Sequence, residues 1–389
     1  MPSAPSIIST AGVPEILPFN SGSVRVPEHL APVLSLWNLP SNAGTLTPGE
    51  WNSVIRVGRM ARLLGSLHAR IERSGQLQSV PQYAAFHLKS EWNLAAYRKQ
   101  MIIRELRDIQ LAVGTLKIPI IALKGAAYIV QQAHCAAGRA PSDVDIMVRK
   151  DSLGVVECAL KSAGWEMSQV GSYDEHYYRE WTHELPPFRM PGHPVELDLH
   201  HGILPPVGRL KPDMDSMIAH SVAGRDGFYR VLSEPDQVLH TCVHLFQDSD
   251  LSNRLRDLAD IDSLLREYSD VPGFWERIVA RANLHGFQRP LWYSIHYSKV
   301  FFKTPVPDSV IRGLDAWAPG KATAMLMNRL VPAALCPHNP DALPSTAVNA
   351  CRSMLLARSH WLRMPLHLLA RHAAVKFWRR FMPRKAQTN

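Results

Sequence analysis

Cysteine is scarce and scattered in this chain. Cys135, Cys158, Cys242, Cys336 and Cys351 are odd in number and none stands at a paired spacing. Neither a disulfide framework nor a cysteine zinc site is indicated, and a reducing, cytoplasmic setting is expected. Long apolar runs are also missing: no stretch approaches the roughly 18 residues of a membrane-crossing helix. The opening MPSAPSIISTAGVPEILPF has neither the basic start nor the unbroken apolar centre of an export signal, so export is not expected. There is no G-x-x-x-x-G-K-[ST], no G-x-G-x-x-G and no G-x-S-x-G, which argues against P-loop, dinucleotide-binding and serine-hydrolase readings. His240 and His244 stand four apart, but position 241 is threonine and the glutamate of a zinc-protease helix is absent, so these read as ordinary helix histidines. No internal repeat is visible.

What is present is an ordinary globular composition, 46% hydrophobic and 20% charged over 389 residues, long enough for two or three domains. The formal charge of +9 favours phosphate-rich partners, whether nucleotides, nucleic acid or an anionic membrane surface. That excess is uneven. Arg352, Arg358, Arg363, Arg371, Lys376, Arg379, Arg380, Arg384 and Lys385 crowd one segment without an acid among them, so the charge describes the tail more than any site.

The informative stretch runs from Ile118 to Val148. Ile118 to Leu123 reads as a short buried strand, Lys124-Gly125 as a turn, and about Ala126 to Ala137 as a helix that Gly138 ends. A second strand then carries Ser142-Asp143-Val144-Asp145-Ile146-Met147-Val148. Side chains alternate along a strand, so Val144, Ile146 and Val148 face one way and Asp143 and Asp145 the other. Two carboxylates roughly 6–7 Å apart on one face of a buried strand repel each other and lose hydration. Such a pair calls for a cation. Further on, Pro194-Val195-Glu196-Leu197-Asp198-Leu199-His200-His201 repeats the period of two, with Glu196, Asp198 and His200 on the polar face. If the two strands are neighbours, four carboxylates and a histidine share one side of the sheet. Oxygen-rich clusters of this kind suit Mg²⁺ used together with substrate phosphates; a solvated sheet face is the plainer alternative. Lys124 and the amides of Gly125 and Ala126 stand where a helix N-terminus would receive triphosphate oxygens.

The rest of the chain divides around this core. Residues 1–44, rich in Pro, Ser and Gly, read as an irregular lead-in. A helical region follows over 45–115, opened by Thr47 as N-cap, Pro48 at the first helical position and Glu50 three residues on. Helices are expected from near Pro81 and from Glu91 to Val113. The core spans 116–232, with a helix capped by Asp151, a strand over Trp165 to Val170, and two antiparallel strands drawn from Tyr173 to Met190. Residues 233–330 return to helices, starting with Ser233 as N-cap and continuing at about Glu234–Phe246, Arg254–Tyr268, Pro272–His285 and Gln288–Phe302. In the second of these, Arg254 with Asp257 and Arg256 with Asp260 are spaced for helix-surface ion pairs. Residues 331–389 form a basic amphipathic tail that could lie on an anionic membrane, hold a protein partner, or pack as terminal helices.

The combination Leu123-Lys124-Gly125, Arg139, Ser142-Asp143-Val144-Asp145 and Leu197-Asp198-Leu199-His200 resembles the DNA-polymerase-beta-like nucleotidyltransferases, in particular the bacterial uncharacterised nucleotidyltransferase branch, over about Leu46 to Pro307. The resemblance implies an α+β fold, a polymerase-beta-like mixed sheet flanked by N- and C-terminal helical regions. It implies transfer of NMP from an NTP, ATP among them, to an unidentified acceptor (a small molecule, sugar or protein), with release of pyrophosphate. Two Mg²⁺ ions are implied, with Mn²⁺ as the substitute. Asp143 and Asp145 would hold them, and Asp198 would complete the site and take the acceptor's proton. Lys124, Gly125, Arg139 and Ser142 would meet phosphates, Glu196 could substitute for or assist Asp198, and Arg254 would face the cleft; His200 could orient Asp198, touch the substrate or satisfy a core hydrogen bond. One departure stands out: the superfamily opens its helix with Gly-Ser or Gly-Gly, where this chain has Lys124-Gly125-Ala126. The rival expectation is a binding module that keeps the fold without turnover, tethered by its tail to a partner or membrane. Nucleic acid is disfavoured as a partner because the core has no basic stretch interleaved with aromatics.

Overall fold

Seven short strands form one mixed sheet: β1 (Ile121–Ala122), β2 (Asp143–Met147), β3 (Glu166–Met167), β4 (Phe188–Arg189), β5 (Glu196–His200), β6 (Val222–Ala223) and β7 (Arg230–Val231), in the spatial order β3-β4-β5-β2-β1-β7-β6. The computed structural model describes residues 24–248 and 250–381. Residues 1–23 of the expected lead-in, and Arg384 and Lys385 of the tail, lie outside the described residues. The pairs β2/β5 and β1/β7 are parallel and the remaining pairs antiparallel. With helices before and after the sheet, this is an α+β architecture.

The centre of the sheet follows from alternation. Val144, Ile146, Leu197 and Leu199 are fully buried, and they belong to one hydrophobic cluster that runs from Leu30 in the first helices to Leu355 near the last. Because β2 and β5 are parallel and in register, Asp143 lies beside Glu196 and Asp145 beside Asp198. The acids therefore share the face opposite the aliphatic core.

Ahead of the sheet, Thr47 and Glu50 form the expected capping box: the Glu50 amide donates to the Thr47 hydroxyl at 3.3 Å and the Thr47 amide to the Glu50 carboxylate at 2.8 Å. Several local expectations are corrected. Residues 28–44 are not irregular but contain the Ala31–Asn38 helix and two 3-10 turns, because Val33, Leu36 and Trp37 find a core to bury into. One helix, Gln82–Val113, replaces two, since no Gly or Pro interrupts it. Lys124-Gly125 is not a turn but the first turn of a helix, Lys124–Gln131, which stops where Gln132 adopts φ +58°. The first strand shrinks to Ile121–Ala122. Ser172–His176 and the π-turn Tyr177–Trp181 stand where the first of two antiparallel strands was expected. Tyr173, Tyr177 and Trp181 recur every four residues, a helical spacing. His372 of the Leu366–Phe381 helix stacks on both tyrosines, and Arg371 lies over the Trp181 ring.

Asp151 sits in a 3-10 turn ahead of the Leu153–Ser162 helix and does not cap it. Ser233 gives its hydroxyl to the Asp236 carboxylate at 2.9 Å instead of accepting from the helix. The stretch after residue 320 forms the Lys321–Leu335 helix. No helix among the described residues is long and apolar enough to cross a membrane.

Candidate active site

The polar face of β2 and β5 opens into a cavity of about 270 Å³ lined by Asp143, Asp145 and Asp198 on one side and by Lys124, Arg139 and Arg254 on the others. Asp145 is its electrostatic centre. One oxygen of this buried carboxylate accepts from the Lys124 ammonium at 3.0 Å and from His200 Nε2 at 3.0 Å. Burial by itself would raise the Asp145 carboxyl, but Lys124 and His200 outweigh it and hold it well below the usual range. The reciprocal effect keeps Lys124 charged: burial opposes the ammonium, and the Asp145 carboxylate more than restores it.

The other two acids behave oppositely. Burial, then the neighbouring Asp145, raises Asp143. Burial, then the Asp145 and Glu184 carboxylates, pushes Asp198 up to about 7. Three carboxylates on one face, two of them displaced toward the neutral form by burial and like charge, are an oxygen-donor set that a divalent cation would relieve. Mg²⁺ fits these residues.

Backbone geometry contributes as well. Lys124 takes φ +42° at the start of its helix, a conformation that costs a residue with a Cβ and is held only by its surroundings. Gly125 follows because a side chain there would collide with the Arg139 guanidinium. Arg139 donates to Asp260 at 2.9 Å and lies 5.5 Å from the centre of the Tyr128 ring. Burial opposes its charge, and Asp260 keeps it firmly ionised.

The structure thus brings Lys124, Arg139, Ser142, Asp143, Asp145, Asp198 and Arg254 to one cavity, with Gly125 beneath Arg139 and His200 behind Asp145. Glu196 is placed elsewhere: it is bound by Arg189 at 2.7 Å on the adjacent strand and does not line the cavity. Asp260, expected to pair with Arg256, is taken by Arg139 instead, whereas Arg254 does meet Asp257, at 3.3 Å. That helix, Leu255–Tyr268, is buried rather than superficial, which turns its charged residues toward the cavity.

Sequence reasoning missed several lining residues. Arg62 arrives from the turn between two N-terminal helices, and Arg256, His244 and Asp260 come from the C-terminal helices. Glu184 and His183 come from the stretch before β4. The His183–Leu185 stretch runs antiparallel beside β5: the His201 amide donates to the His183 carbonyl at 2.8 Å and the Leu185 amide to the Leu199 carbonyl at 3.0 Å. A short polar insert between Trp181 and Leu185 was the only local sign of it.

A family model described as an uncharacterised nucleotidyltransferase matches residues 47–303, which include the helices from Pro48 to Val113 before the sheet, the whole sheet and the helices that close the cavity. No curated protein matches the chain.

Proposed function

The chain belongs to the uncharacterised nucleotidyltransferase family, and from that premise we propose that it moves NMP from an NTP to a small-molecule, sugar or protein acceptor, releasing pyrophosphate, on a polymerase-beta-like core. The observation that supports this most is the in-register placement of Asp145 beside Asp198, with Asp143 two residues away on the same face of the same cavity. Asp143, Asp145 and Asp198 would hold Mg²⁺, which when bound supplies activation of the attacking oxygen and charge stabilisation on the leaving pyrophosphate.

The chain's own groups divide the remaining work. Asp198, on the cavity wall beside Asp145, would take the proton from the acceptor's hydroxyl. Lys124, at the N-terminus of the Lys124–Gln131 helix, can move its ammonium from Asp145 to a phosphate oxygen, where the helix dipole adds to it. Arg254, half-exposed at the cavity wall, can meet phosphates as they enter. Arg139 is held too firmly by Asp260 to leave it, and it acts as a fixed positive wall.

Calorimetric titration with each NTP, with and without Mg²⁺, tests the reading. Metal-dependent binding by the wild type that disappears in Asp143→Ala/Asp145→Ala supports it and names the donor. A folded protein that binds no NTP with Mg²⁺ present is instead the binding module.

A further inference from the structure

Behind the carboxylate face lies a second donor set of different chemistry. The metal-binding atoms of His183, Glu184 and His200 all lie within 4.8 Å of one another. His200 Nδ1 is 3.5 Å from a Glu184 carboxylate oxygen, and His183 Nε2 is 3.9 Å from the same oxygen. His200 is 1% exposed and its Nδ1 has no hydrogen-bond partner. The opposite ring nitrogen, Nε2, donates to Asp145 at 3.0 Å. This leaves Nδ1, which faces Glu184, as the nitrogen a cation would take in place of a proton. A histidine that gives one N–H to a carboxylate and offers its other nitrogen is the usual arrangement behind a metal ligand.

We propose that His183, Glu184 and His200 form a site for a borderline transition ion, Zn²⁺ first, distinct from the oxygen set that suits Mg²⁺. Two imidazoles and one carboxylate are the donors such an ion prefers, and three protein ligands leave a fourth position open toward the cavity. The ligands are carried on rigid backbone. Glu184 and His200 face each other across an antiparallel bridge, and the flanking amides of Leu185 and His201 are both hydrogen-bonded across it. The Thr182 hydroxyl, donating to the Glu184 carbonyl at 2.8 Å, steadies the turn that delivers His183 and Glu184. Through His200 the ion would be joined to Asp145 by one hydrogen bond, so occupancy of the site would hold Asp145 in the orientation the carboxylate face requires.

The test uses the full chain, stripped with a chelator and titrated with Zn²⁺ against a chromophoric competitor, with Co²⁺ absorption as the report on geometry. One tightly held Zn²⁺ per chain and the intense visible bands of four-coordinate Co²⁺ are expected. Glu184→Gln should weaken uptake by more than the about 10–100-fold that loss of a mere outer-shell partner costs, while Asp143→Ala leaves it unchanged. His183→Ala should act like Glu184→Gln, and if it fails to fold, the isosteric Glu184→Gln still decides. No zinc uptake by the wild type overturns the proposal, and so does uptake that Glu184→Gln leaves intact, which is binding to surface histidines. Zinc lost in Asp143→Ala places the ion on the carboxylates and also overturns it. Mg²⁺-dependent NTP binding is read separately, so failure here and failure of the transferase reading are distinguishable.

Discussion

Lys124 has two partners to choose between, and that choice is the finest test of the site at the level of a single residue. It neutralises Asp145 at 3.0 Å and stands at a helix N-terminus where phosphate oxygens would gather. If phosphate binding is its role, Lys124→Met weakens NTP binding about 10–100-fold, the worth of one charge-assisted hydrogen bond or somewhat more. Binding of Mg²⁺ alone is then not weakened, because the substitution removes a competing positive charge from Asp145. Paired titrations of the metal and of the NTP separate these effects, and equal loss of both would make Lys124 purely structural. Single residues also show where sequence reading reached its limit. The acids of β2 and β5 were legible because a period of two is fixed by the strand itself. Glu196 shared that period but was captured by Arg189 from a neighbouring strand, which alternation cannot foresee.

Between elements, the site depends on one close approach. Gly138, at φ +73°, and Gly65 lie so near that a Cβ on either would strike the other's backbone. This contact pins the Leu64–Arg73 helix against the loop that leads into β2, and so carries Arg62 to the cavity wall. Gly138→Ala meets both a left-handed backbone and that backbone contact, so it should destabilise the protein by roughly 3 kcal/mol or more. A urea-unfolding free energy within about 1 kcal/mol of wild type would contradict it. Elements opened by local chemistry were legible. The Thr47–Glu50 capping box is an interaction within four residues, and it formed as read. The Ser172–Trp181 segment was not, because its helical form is stabilised by His372 and Arg371 from almost the other end of the chain.

For the whole molecule, buried neutral histidines set an acid limit on stability. Burial first, then Lys124, lowers His240 to about 3, and burial first, then Lys150, lowers His201 to about 4. Both values lie below the unfolded histidine value of about 6.5, so the unfolded chain binds the extra protons. The stabilisation is therefore complete above about pH 6.5 and is lost as pH falls toward the folded values, by an amount on the order of a few kcal/mol. Asp198, raised to about 7, acts in the opposite sense over the same window, so the histidine part is read by difference: between about pH 7 and pH 5 urea unfolding should show the wild type losing more stability than His240→Asn, and equal losses would remove His240 from the account. At this scale the sequence showed helices on either side of a sheet, but not that the helices before and after it close over one cavity. Arg62, Arg256 and His244 meet there through packing alone.

Nucleotidyl transfer is distinguished from every other use of an NTP by which phosphorus is transferred. Protein, Mg²⁺ and an acceptor-rich small-molecule extract would be incubated with the NTP that binds, radiolabelled at either the α- or the γ-phosphate. The account predicts α-label in a new species, with pyrophosphate released and both abolished by Asp198→Asn. Label arriving from the γ-phosphate, or orthophosphate in place of pyrophosphate, would contradict it.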